Sequence, residues 1–513
     1  MNRRKFLAGL ASIPALPLLL QSCDFSAEHH NAAFPFPMHL HSDRARGHLV
    51  FESESFPVGN TLTTETLIVG GGVAGLSAAA SLPHSDFLLC ELSDRLGGTS
   101  AASQYKDLTL AQGAHYDLEY PDYYGAEVLQ LLERIDVISH QPWKQTWGFK
   151  DRQYIIPHES KNHCFDHGTL RSDVLKEGEV KRRFLSLIQE YGGKMPMPTR
   201  LIEGEMRALD QLNFLEFLRQ HLAIPSDFER GLDYHMLDDW GGTSKQVSAL
   251  AGIHYFQCRP YYKEVNQLFS PPSGNDYFVK KLAGTVATDQ LRLNHLVKRI
   301  ESVGDRWKAT VVDVSNKKLV TVNAKNVIYA GQKHALKHVV PAYGKFFKDH
   351  VYAPWLVLNF VLKKPFADFG YWQNEMIVDD ISFLGFINSS SQHNTLQDKQ
   401  VLTAYYCLPP ESRKYLADIG KHQNSIVRKT LGYLSAYFGT QLDDRVEAVF
   451  LNAMGHAMPI PTPHYLFRNR NLETASSNFA FAGVDHHRLP LLFEAMDSGI
   501  EAVKALYETT SLT

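Results

Sequence analysis

The chain predicts an α/β fold in two interleaved domains, and three observations carry that reading. A short apolar run at residues 66–69 leads into a glycine cluster and then an alanine-rich stretch; a second apolar run, 87–90, closes on an acid; and residues 479–506 again place an apolar run, a glycine and a helical periodicity in that order. With 513 residues the chain is too long for one ordinary core and suits two domains of roughly 200 residues each. At 44% hydrophobic, 21% charged and a formal net charge of -3, nothing in the bulk electrostatics favours a polyanion, so nucleic acid is excluded as a partner class. No His-Glu-x-x-His or Cys-x-x-Cys spacing occurs, and no metal is assigned.

Taken from the beginning, Arg3-Arg4-Lys5-Phe6-Leu7 opens an apolar stretch to Leu20 that Pro14 and Pro17 interrupt. It falls short of the about 20 apolar residues of a permanent membrane helix, so it reads as an address. The segment resembles a twin-arginine export signal, with Ala8 where a lysine is common, and Leu20-Gln21-Ser22-Cys23 resembles a lipoprotein processing site with Cys23 as the lipidated residue. These resemblances imply the twin-arginine export machinery as a partner and a periplasmic protein lipid-anchored to the inner membrane, where Asp24 resembles a retention signal. Residues 24–61 read as a polar tether. Four cysteines remain beyond it, Cys90, Cys164, Cys258 and Cys407, expected as buried thiols.

The strongest chemistry follows. In Val69-Gly70-Gly71-Gly72-Val73-Ala74-Gly75, Gly70 permits a tight turn, Gly72 lets the backbone approach a pyrophosphate, and Gly75 lets the helix lie on the strand. The free N–H groups at the helix start face the anion. Glu91, ending the second strand, sits where an acid holds the adenosine ribose hydroxyls. Together these form a Rossmann-like dinucleotide unit.

The continuation Glu91-Leu92-Ser93-Asp94-Arg95-Leu96-Gly97-Gly98-Thr99 resembles the Glu-x3-Arg-x-Gly-Gly pattern of the flavin amine oxidase, protoporphyrinogen oxidase and phytoene desaturase superfamily. The resemblance implies a Rossmann-like FAD-binding domain of the GR2 type with a discontinuous α+β substrate domain, FAD held non-covalently, and Arg95 facing the pyrophosphate. Gln112-Gly113-Ala114-His115-Tyr116 resembles the turn that passes the isoalloxazine, Ser270-Pro271-Pro272-Ser273-Gly274-Asn275 the loop returning to the FAD domain, and His295-Leu296-Val297 the strand whose valine backbone meets the adenine. Ala482-Gly483-Val484-Asp485 resembles the closing segment whose acid bonds the ribityl chain, and Ser498-Gly499 the small pair of the last helix. The N-terminus of that helix would lie near the flavin pyrimidine.

The FAD domain is thus expected over 62–117, 268–340 and 450–513, and the substrate domain over 118–267 and 341–449. The family's aromatic cage falls at Leu491 or Leu492 and is incomplete there; His115, Tyr405, Tyr406, His456 and Leu491 are the substrate-side candidates, and Asp238-Asp239, before Trp240-Gly241-Gly242, could grip a cation or merely cap or turn the chain. The lysine that holds a water near flavin N5 cannot be told between Lys333 and Lys337, because Gln332 replaces the family's proline. Three functions follow: oxidation of an amine or polyamine by hydride transfer to N5, with oxygen or a membrane electron carrier as acceptor; desaturation of an isoprenoid or porphyrinogen; and a non-catalytic electron relay.

Overall fold

The computed structural model describes residues 34–52, 56–113, 124–157, 162–258, 267–365, 372–389, 398–468 and 474–507. The export signal, Cys23, Ala114 and His115 lie outside the described residues. Among the described residues no helix is long and apolar enough to cross a membrane.

Two eight-stranded sheets organise the chain. In the first, Phe87–Cys90, Val58–Val69 and Lys318–Tyr329 lie parallel, and Phe479–Phe481 adds in parallel to the end of Lys318–Tyr329. The other half of that long strand carries an antiparallel meander with Arg306–Asp313 and His295–Val303. The parallel strands turn continuously apolar at their C-terminal ends, Leu67–Val69 and Val327–Tyr329, where both faces are covered. Ile68, Leu89 and Ala480 face the helices Val73–Ser81 and Leu492–Tyr507, while Leu67, Leu88 and Phe479 face the meander side with Trp307.

The second sheet runs in the order Met38–His41, Val446–Pro459, Tyr352–Leu362, Gln400–Cys407, Phe383–Asn388, Gln373–Ile377, Asn162–Asp166, Thr169–Arg171. Every residue of Tyr352–Leu362 is buried. Leu356, Leu358 and Phe360 pack under the helix Ile419–Phe438, while Trp355 and Val357 turn to the large core shared with the first domain and the helices Ser226–Trp240 and Ala249–Cys258. A polar pin crosses between the domains: buried Asn359 donates from Nδ2 to the Ala111 carbonyl, 2.9 Å, and accepts at Oδ1 from Thr403, 2.7 Å.

Two expected boundaries are corrected. The tether does not extend to residue 61: Met38–His41 is a strand, Arg44–Glu52 a helix, and Val58 opens the first nucleotide-side strand. Phe36, only 6% exposed, explains this, because it anchors the segment in the second core. The FAD domain likewise cannot resume at 450, since Val446–Pro459 is one strand of the second sheet, paired with Tyr352–Leu362. Cys90, Cys164 and Cys407 are buried thiols as expected, while Cys258 is half-buried, its Sγ donating to Met195 C=O, 3.1 Å.

Of the positions at helical spacing, Leu492, Ala495, Met496, Ile500, Val503 and Leu506, the helix Leu492–Tyr507 buries all but Ala495, which is half-buried. At Gly499 a Cβ would stand 2.3 Å from the Ala74 carbonyl oxygen and 2.8 Å from the Ala78 nitrogen. Gly499→Leu is therefore expected to cost about 3 kcal/mol by forced overpacking. Urea denaturation of the protein with and without bound cofactor checks this, both midpoints falling together.

Candidate dinucleotide and substrate site

The turn after Val69 is set by backbone. Gly70 takes φ +102°, and a Cβ there would stand 3.0 Å from the carbonyl of Ala330, so both conformation and space require glycine. Gly70 N–H donates to Cys90 C=O, 2.8 Å, tying the turn to the second strand. The helix Val73–Ser81 then starts at Gly72 with no side-chain cap, and its first turn carries no acid. Its positive end is left for an anion. Gly72 itself is ordinary extended backbone, and a Cβ on it would meet only Gly97 O at 3.9 Å. Steric room in the protein therefore does not demand Gly72; room for a ligand does.

Around that opening stand the predicted partners. Glu91 is buried; its Oε2 accepts from Gly71 N–H, 2.6 Å, and its Oε1 from Ser93 N–H, 2.7 Å. Burial raises its pKa against those two donors. His295 N–H donates to Glu91 C=O, 2.8 Å, which sets buried Val297 beside the acid, at a bulge in its strand. Arg95 donates from Nη1 to Ser103 Oγ, 2.7 Å, and to Ala102 C=O, 3.2 Å, while Nη2 is buried without a partner. Asn275 Oδ1 and Gln112 Nε2 are likewise buried and unpartnered. These orphaned groups, with the open space at Gly72, fit a dinucleotide whose phosphates and hydroxyls supply the missing bonds. Gly97, at φ +112°, donates to Gly71 C=O, 2.8 Å, holding Gly98 and exposed Thr99 across from Gly72.

Gly483 N–H donates to Ser498 Oγ, 2.9 Å, joining the closing segment to the last helix. Asp485 is engaged by the protein: Oδ2 accepts from Lys333 N–H, 2.7 Å, and Tyr352 OH, 3.0 Å, and Oδ1 from Lys333 Nζ, 3.1 Å. Three of its roughly four acceptor positions are used, leaving one for a ligand hydroxyl. Lys333 Nζ also donates to Ala482 C=O, 2.5 Å, and Gly331 C=O, 3.2 Å. Its three N–H groups are all committed, so Lys333 has none to hold a water, and Lys337 is exposed. Burial alone would raise the Asp485 carboxyl; Lys333 brings it below the carboxylate range, and burial holds the Lys333 ammonium below its ordinary value.

Five histidines crowd this pair, and burial lowers each: His334 and His350 to about 4, His456 and His487 to about 3, His486 well below its ordinary value. The rings are neutral at pH 7. His456 stacks flat on His334, centroids 3.7 Å apart, and its carbonyl accepts from Gln332 Nε2, 2.7 Å.

The substrate candidates separate. Neighbours on a strand face opposite ways. Tyr406 points into the second core, where its hydroxyl meets Thr430 Oγ1, 2.9 Å, and so is a packing residue. Tyr405 faces the shared core, its ring parallel to Trp355 within 8°, centroids 5.8 Å apart. Tyr405 pairs across the sheet with Val357, whose Cγ2 would lie 2.6 Å from a Cβ on Gly113, φ +106°. Leu491 is buried at the entry to the last helix. Asp238 and Asp239 lie in the last turn of Ser226–Trp240, which Gly241 closes in a left-handed cap. Asp238 accepts from Gln373 Nε2, 3.4 Å, and its charge raises Tyr405, whose pKa burial has already pushed up.

Sequence reading missed one network. Fully buried Glu494, in the first turn of the last helix, accepts from Thr199 N–H, 2.6 Å, and pairs with Arg488, 3.3 Å; Asp497 takes Arg488 and also Arg200, 2.9 Å. Only the clustering of Arg488, Glu494 and Asp497 hinted at it.

The family model for flavin containing amine oxidoreductases matches residues 73–506. The chain belongs to that family: it is an FAD-dependent oxidoreductase. Among solved structures it is similar to a putrescine oxidase bound to putrescine (15% identity, TM-score 0.62, 87% of this chain and 100% of that one). It is similar also to cyclohexylamine oxidase from Brevibacterium oxydans IH-35A (13%, 0.62, 87% and 99%) and to a chain named as a protoporphyrinogen oxidase from Exiguobacterium sp. 255-15 (16%, 0.60, 88% and 99%). At these identities the likeness is one of fold. No curated protein matches the chain.

Two substitutions test the site. Gly72→Val should leave the apoprotein's melting temperature unchanged while lowering FAD affinity about 100-fold or more, the loss of a few kcal/mol of phosphate contact; flavin titration checks it. Lys333→Met strands a buried carboxylate and should cost about 3–5 kcal/mol. Urea denaturation should show the double variant with Asp485→Asn losing less than Lys333→Met alone.

Proposed function

We propose that this chain oxidises an amine, with a diamine or polyamine as the preferred class, at the face of the second sheet opposite Gly113. The observation that carries the reading is Asp238. Its carboxylate lies close enough to Tyr405 to raise that hydroxyl's pKa, so the parallel Tyr405 and Trp355 rings stand in the field of a negative charge, which favours a cationic substrate over a neutral one. When bound, FAD accepts a hydride at N5 from the carbon next to a neutral amine nitrogen. The protein's part is to gather the cation at Asp238, lay its carbon chain along the flat Tyr405 and Trp355 rings, and keep water away with Val357 and Leu491. Electrons then leave to oxygen or to a membrane carrier.

A second reading, desaturation of an isoprenoid or porphyrinogen, draws on Val357 and Leu491, which present hydrocarbon where a polar or aromatic contact would suit an amine better. We also propose that the protein is exported by the twin-arginine route and lipid-anchored through Cys23. That route carries folded chains, which suits a protein that must close around a dinucleotide.

Two experiments test this. Anaerobic titration with putrescine and spermidine should bleach the flavin band, and Asp238→Asn should raise KM about 10- to 100-fold with flavin content unchanged, the worth of one charge-assisted bond. Bleaching by polyenes or porphyrinogens alone would replace the amine reading. Replacing Arg3 and Arg4 by lysine should leave the protein in the cytoplasm, as fractionation would show.

A further inference from the structure

The segment ahead of the dinucleotide unit does two things that a spacer would not. Its first part belongs to the second sheet: Met38–His41 pairs in parallel with Val449 to Asn452, Val449 N–H donates to Pro37 C=O, 3.0 Å, and His39 stacks on Phe450, centroids 4.5 Å apart. Its second part lies on the first domain. The helix Arg44–Glu52 rests against the strand His295–Val303, yet buries no side chain of its own. Half-buried Leu49 and Val50 and an edge contact of Phe51 with His338, centroids 5.2 Å apart, give it only a thin apolar footing.

Polar contacts hold it, and they converge on one turn. Arg46 Nη2 pairs with Asp94, 2.6 Å, and Arg46 Nη1 with Asp43, 2.6 Å, while Ser93 Oγ donates to Asp43, 3.4 Å. His41 lies 3.7 Å from Asp43 on the other side. A Cβ on Gly47 would stand 3.9 Å from Leu92 Cδ2. Leu92, Ser93 and Asp94 are the three residues between Glu91 and Arg95, and Ser93 N–H is itself a donor to Glu91. Whatever holds this turn sets the spacing of the ribose acid and the phosphate arginine.

We propose that residues 34–52 form a strap from the second sheet across the adenosine end of the cofactor site, with Arg46 and Asp43 as positioning residues for the Glu91–Arg95 turn. Loss of FAD then requires the strap to lift. The helical part of the strap, Arg44–Glu52, is the latch: partly exposed ion pairs hold it, while Phe36 and Met38–His41 stay anchored in the second sheet. A cofactor loaded before the strap closes is retained by kinetics more than by added contacts.

The test is the rate of FAD release from the holoprotein, followed by flavin fluorescence after dilution, for wild type, Arg46→Gln, Arg46→Lys and Asp94→Asn. Exposed pairs contribute about 0.2–1 kcal/mol each, so losing both of Arg46's partners should speed release about two- to thirtyfold. Arg46→Lys should fall between, and Asp94→Asn, which removes one of the two pairs, should speed release by less than Arg46→Gln does. Raising salt should accelerate wild type toward the Arg46→Gln rate with little effect on that variant. Release unchanged in Arg46→Gln overturns the proposal. So does acceleration matched by an equal loss of apoprotein stability, which would mark Arg46 as merely structural.

Discussion

Three backbones meet in this protein with no side chain between them, and the site depends on that contact. Gly75 lies so close to Gly70 that a Cβ would stand 1.9 Å from the Gly70 carbonyl oxygen, and Gly499 lies as tightly on Ala74. The first contact presses the helix Val73–Ser81 onto its strand and aims its amides at the space beside Gly72. The second brings the last helix down on the same turn, and Ser498, next to Gly499, fastens Gly483. Ends of the chain more than 400 residues apart thereby form one wall of one site.

Charge is placed by the same economy of space. Lys333 and Asp485 sit in the seam between the strands ending at Tyr329 and Phe481, where water cannot reach them. A buried pair of this kind adds little net stability, but breaking it is costly, so it resists any shift of the two loops. The neutral histidines around it add volume and hydrogen-bonding capacity without further charge. At the start of the last helix, Arg488 and Arg200 offset Glu494 and Asp497, which leaves that helix end close to electrically balanced.

On the substrate side the decisive element is a sheet buried on both faces. Asn359 stitches it to Ala111, two residues before Gly113, so Val357 and Tyr405 keep a fixed distance from the Gly113 turn. The strap also joins the two bodies, running from its pairing with Val449–Asn452 to the ion pair of Arg46 with Asp94.

The nucleotide unit was legible in the sequence because its rules are local: a strand, three glycines, a helix, a second strand and an acid need only neighbours along the chain to be recognised. The last helix was legible for the same reason, by its 3.6-residue period. What tertiary structure alone decided involves partners far apart. Lys333 and Asp485 are 152 residues apart and are joined by strand order. Tyr405 and Tyr406 could not be told apart, since a strand apolar on both faces carries no alternation to show which way each ring points. Residues 34–52 looked like a tether because their polar character is that of a surface segment; only the fold shows what that surface covers.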